Sequence, residues 1–142
     1  MIKLYLSIII LFSLLIACSD DGLDSNNGGN NSNNGGIEPT FSDIYAKIIE
    51  IRCATSGCHV STHRDLDMST KTVAYDNLID VQSSQSLDYI EPGEPLNSYL
   101  YIKITDDSPP AGLRMPRTGP PYLSSSEISA IRVWIENGAL DN

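Results

Sequence analysis

Cys53 and Cys58 bracket the small residues Ala54-Thr55-Ser56-Gly57, and His59 follows the second thiol directly. This C-x4-C-H segment restricts the fold more than any other, since two thiols and an imidazole confined to one short loop must meet each other or share a partner. Three readings follow. A Cys53–Cys58 disulfide closes a small loop, as exported proteins can readily carry. A zinc set adds His63 to Cys53, Cys58 and His59 in a C-x4-C, H-x3-H pattern, although the adjacent Cys58 and His59 cramp a single tetrahedral centre. In the third, both thiols bond one shared group and His59 is carried beside it.

The remaining cysteine, Cys18, has a role of its own. Lys3 supplies a positive start, and Leu4 to Ile16 is an apolar run interrupted only by serines and too short for a comfortable bilayer span. Leu15-Ile16-Ala17-Cys18 resembles the lipobox of bacterial lipoproteins, which implies a signal peptide over 1–17 and a lipid on Cys18 at the new N-terminus. An ordinary signal peptide cut elsewhere is the plainer alternative. Subtracting Cys18 leaves Cys53 and Cys58 as the only thiols of the exported chain.

Residues 18–38 then read as the lipidated cysteine and a tether of Asn, Gly, Ser and Asp, with too little apolar surface to order itself. Such a chain reaches about 25 Å on average. Its acidic start, Ser19-Asp20-Asp21, resembles the signal that sends some lipoproteins to the cell surface, and reads equally well as solvated linker. The expected location is the bacterial cell envelope, on the periplasmic face of the outer membrane or on the cell surface. Residues 39–142 have the length of one small domain. A formal charge of −9 makes nucleic acid an unsuitable partner and suits solubility or the steering of a basic one.

Helical signals open and close that domain. Thr40 and Asp43 form a T-x-x-D capping signature, followed at helical spacing by Phe41, Ile44, Tyr45, Ile48 and Ile51 or Arg52, so this helix runs into Cys53. Ser124 to Glu127 is a capping box, with Leu123 placed to staple onto Ile128. Ile128, Ile131, Trp134 and Ile135 form a stripe, and Asn137-Gly138 ends the helix. Between them, Thr70 to Ile79 suits a short helix burying Val73, Ala74 and Leu78. Tyr99 to Ile104 alternates like a strand, yet Asn97 or Ser98 can cap it, and helix is the expectation. Prolines stiffen Ser108 to Leu123 around Arg114-Met115-Pro116. Met68, in Asp65-Leu66-Asp67-Met68, reads as a packing residue.

Taken together, Cys53 to His59, Arg114-Met115-Pro116, Pro120 to Ser124 and Glu127 through Ile135 resemble a haem c domain of the class I cytochrome c type found in bacterial envelope proteins. The resemblance spans nearly all of Pro39 to Ala139. It departs from the common pattern in the two added residues between the cysteines, which bears on haem attachment rather than on the fold. Gly57 and the small Ala54, Thr55 and Ser56 are the residues that let the wider loop fold back beside a porphyrin.

The resemblance implies an all-α fold in which N- and C-terminal helices cross around one covalent haem c with long irregular loops. It implies thioethers at Cys53 and Cys58, and iron ligation by His59 and Met115. His63, four residues past His59, is the competing ligand, but a helical turn shared with His59 would point it the same way. The implied function is electron transfer between envelope redox proteins by a lipid-anchored monohaem carrier rather than an enzyme. Two alternatives stay open: a disulfide-stapled lipoprotein binding module without redox activity, and a haem enzyme or sensor whose Met115 dissociates to admit a small molecule.

Overall fold

Three polar residues set where helices begin, each by capping an otherwise unpaired backbone N–H. Thr40 Oγ1 accepts from Asp43 N at 3.3 Å, Thr70 Oγ1 from Val73 N at 3.3 Å, and Ser124 Oγ from Glu127 N at 3.3 Å. Glu127 completes the box by accepting from Ser124 N at 2.6 Å. In the computed structural model, which describes residues 36–60 and 66–142, these caps start α1 (Phe41–Ile44), α2 (Lys71–Leu78) and α4 (Ser125–Glu136). A 3₁₀ turn, Pro95–Asn97, leads into α3 (Tyr99–Thr105). Among the described residues there are helices and no strands, with two isolated bridges, Ile79 to Ile90 and Gln82 to Asp88. The fold is all-α, as expected. No helix among these residues is long and apolar enough to cross a membrane.

α1 does not continue as an α-helix. From Tyr45 to Cys53 it is wound as a π-helix, a form usually limited to single turns and frequent at functional sites. Its i→i−5 bonding puts residues five apart over one another, so Ile48 and Cys53 fall on one face and Ile44 and Ile49 on the neighbouring row. The buried stripe is therefore Ile44, Tyr45, Ile48 and Ile49, while of the two residues expected to continue it, Ile51 is 60% exposed and Arg52 is half-buried. The same winding carries Cys53 onto the core.

The first and last helices pack together. Phe41 stacks on Trp134 with ring centroids 5.2 Å apart, and Tyr75 of α2 meets Phe41 edge-on at 5.0 Å. Ile131 and Ile135 fill the same layer. α4 ends in a Schellman arrangement: Gly138, at φ +91°, donates to Ile135 O, and Ala139 donates to Trp134 O. Downstream, Asn142 turns back onto the start of α1, accepting from Phe41 N through Oδ1 and from Ser42 N through its carbonyl, both at 2.9 Å. In α2, Ala74 and Leu78 are buried as expected but Val73 is only partly so.

α3 is the helix that its alternating pattern left ambiguous. Ser98 precedes it without capping it, because Ser98 is fully buried and its hydroxyl accepts from Glu91 N at 2.9 Å and donates to Glu94 O at 3.0 Å. Residues 1–35 and 61–65, which hold the expected signal peptide, Cys18, most of the expected tether and His63, lie outside the described residues.

Candidate functional site

The π-helix ends at Cys53, where the chain must turn within a few residues to bring Cys58 back. Cys58 N donates to Thr55 O at 2.9 Å and His59 N donates to Cys53 O at 3.1 Å, so the loop's two ends are tied together. Gly57 sits at φ +79°, a left-handed conformation that favours glycine. The turn from Thr55 to Cys58 absorbs the added length of the C-x4-C interval.

Both cysteines are thiols rather than halves of a disulfide, and both line a cavity of about 660 Å³. His59 stands at its wall as well. Its Nδ1 lies 3.1 Å from Leu66 O. A carbonyl only accepts, so Nδ1 carries the proton in this contact, and a neutral ring then has its lone pair on Nε2. The His59 backbone carbonyl in turn accepts from Met68 N at 3.0 Å, which locks the imidazole's segment to the strip that follows it.

The other side of the cavity comes from α3, through Leu100, Lys103 and Ile104, and from the irregular segment after it, including Met115. Met115 is partly buried and packs against the core. Met68 is 3% exposed, the packing residue expected, but it also contributes to the wall. Cys53, Cys58, His59 and Met115 thus line one cavity although they come from two distant parts of the chain. Cys18 and His63 lie outside the described residues.

The chemistry of this wall is mostly apolar. Burial is the main cause that pushes the Cys53 thiol up to about 11, with nearby Cys58 adding to it and Arg52 opposing it. At neutral pH Cys53 is therefore a protonated thiol, not an activated thiolate. Among the described residues no Asp or Glu lines the cavity, while Arg52, Lys103 and Arg117 do. Arg52 also joins the end of the π-helix to the start of α4, donating to Pro121 O at 3.0 Å with Glu127 at 3.9 Å. Burial holds Lys103 below the usual lysine range. Among the described residues, no three His, Cys, Asp or Glu side chains come together as a metal-binding group.

Several of these residues are absent from the sequence expectation. Tyr89, Tyr99 and Lys103 face the cavity, yet only for α3 was there a signal: Leu100 and Ile104 stand four apart on a helix whose apolar side had no assigned cover. Comparison with protein-family models, with curated proteins and with solved structures finds no match to this chain.

Proposed function

We propose that residues 39–142 form a cytochrome c-like, single-haem c domain that carries electrons in the bacterial envelope. The observation that supports this reading best is that His59 and Met115, remote in sequence, share one cavity with the two thiols of the loop before His59. The residues present suit the group. A mostly apolar space of about 660 Å³ is in the range that takes a cofactor, and the donors around it are two thiols, an imidazole and a thioether. Cys53 and Cys58 would hold haem through thioethers, with His59 Nε2 and Met115 Sδ as its axial ligands.

Bound haem supplies a one-electron couple whose potential the protein tunes through the ligands and burial. Leu66 holds His59 in the tautomer that offers Nε2, and its hydrogen bond raises the basicity of the ring. Leu100 and Ile104 give the site an apolar wall. With Cys53 Sγ joined to the group, this buried position would carry no ionisable thiol. If His59 and Met115 both held the iron, no position on it would remain for a substrate, which would make the role a carrier rather than an enzyme. Cys18 would fix the domain to the membrane by its lipid, and the partners are envelope redox proteins.

The test is a haem stain on a denaturing gel of protein made in a host with haem-attachment machinery, since only covalently held haem survives denaturation. Stained protein at the full mass is expected. Unstained protein in which mass mapping finds a Cys53–Cys58 bond overturns the reading in favour of a disulfide-stapled module.

A further inference from the structure

A helix leaves its last carbonyls without partners inside itself, and the way α3 satisfies them is unusual. Ile102 O accepts from Asp106 N at 2.9 Å, the ordinary continuation. Lys103 O instead accepts from Met115 N at 2.7 Å, and Ile104 O from Arg114 Nε at 3.0 Å. The segment bearing Met115 therefore serves as the C-terminal cap of the helix that forms the cavity wall.

Lys103 binds this segment from its side chain too. Its ammonium donates to Ala111 O at 2.7 Å and to Leu113 O at 2.5 Å, on the approach to Met115. One residue thus grips the loop at three points. Arg114 adds a brace, with Nη1 2.7 Å from Asp107 Oδ1 and its guanidinium 4.5 Å from the Tyr122 ring centre. Nothing in residues 106–124 is regular secondary structure, so these contacts, rather than a ladder, set where the thioether sits.

We infer that Lys103 is the positioning residue for Met115, holding its loop against α3 so that the thioether stays on the iron. The inference rests on the haem reading above. The population of the Met-on state depends on how strongly the loop is held, and an incoming sixth ligand binds only to the fraction that is off. Losing two charge-assisted hydrogen bonds to the loop should raise that fraction about 10- to 100-fold.

The experiment uses the full, haem-loaded chain and Lys103→Met, which keeps the aliphatic stem and removes the donors. The expected result is unchanged covalent haem, carbon monoxide affinity of the reduced form raised about 10- to 100-fold, a lowered potential and a weakened sulfur-to-iron charge-transfer band. Met115→Ala gives the fully open reference. Lys47→Met, which removes an exposed lysine bonded to Gly36 O and Asp43, should leave all of these unchanged. Lys103→Gln, retaining one donor, should fall between wild type and Lys103→Met and serves where the latter fails to accumulate. A loaded Lys103→Met protein with wild-type affinity and potential overturns the inference, as does failure of both variants to load, which would make Lys103 a folding residue. Wild-type protein without covalent haem overturns the underlying reading and this inference with it.

Discussion

The layer around Phe41 and Trp134 and the space between His59 and Met115 are built from similar apolar material to opposite ends. In the first, three aromatic rings and two isoleucines close on one another, and Trp134 Nε1 still finds Leu140 O at 2.8 Å. In the second, leucine, isoleucine and methionine side chains stop short and leave about 660 Å³. Packed interiors seldom leave voids of that size, because each unmade contact forfeits dispersion energy. The lesson is that one region is closed by its own side chains, while the other leaves the space that the haem reading would fill.

The largest effect should come from emptying the second region for good. Cys53→Ala with Cys58→Ala is expected to abolish covalent haem and to lower stability more than any other change, the chain still folding through the Phe41–Trp134 layer, read by haem stain and denaturant titration. Stability equal to that of the loaded wild type would show the hollow region to be self-supporting. Trp134→Ala attacks the filled region and should cost about 3–5 kcal/mol by denaturant titration, in loaded and unloaded protein alike. A much smaller loss would remove the distinction between the two.

Methionines sharpen the contrast within the cavity wall. Met68→Ala should cost about 2–5 kcal/mol, as for a buried side chain, with the potential unmoved. Met115→Ala should keep covalent haem yet lower the potential and open the sixth position, as carbon monoxide binding would report. If the two exchange behaviour, the axial assignment moves to Met68.

A pH titration of haem-free protein isolates the buried thiol. Cys53 is held at about 11 against an ordinary 9.0, so between these values the folded protein keeps a proton that the unfolded chain releases. Stability from this source is fully present below pH 9 and is lost as pH rises through 11, a change of about 2–3 kcal/mol. Cys53→Ala should lack that slope, as should the thioether form. The smallest change is Ser124→Ala, which removes the capping hydroxyl of α4 for about 1 kcal/mol, measured by thermal unfolding.

What could be read in advance was what is local. Thr40, Thr70 and Ser124 cap as their spacing indicates, because a cap involves only residues three positions away. The π winding was not legible, since an i→i−5 bond asks for no residue type that an i→i−4 bond does not. Its consequence, Ile51 outside and Ile49 inside, escaped with it. Ser98 looked like a cap and became a buried bridge to Glu91 and Glu94 because of packing around it. The gathering of His59 and Met115 at one cavity follows from resemblance rather than periodicity. Lys103 carries no local signal at all, as its carbonyl partners lie eight and ten residues away in an irregular segment.

The return of Asn142 to α1 governs the order in which this domain is made. Phe41 and Ser42, at the very start of the fold, find their partner 101 and 100 residues later. A chain emerging N-terminus first must therefore hold its opening helix without the contacts of Asn142, and its Phe41 ring without Trp134, until nearly the whole domain has been made. Closure of the first helix onto the last is thus deferred until the end of the domain is in place, so the loop of Cys53 and Cys58 is made well before the layer that holds its helix.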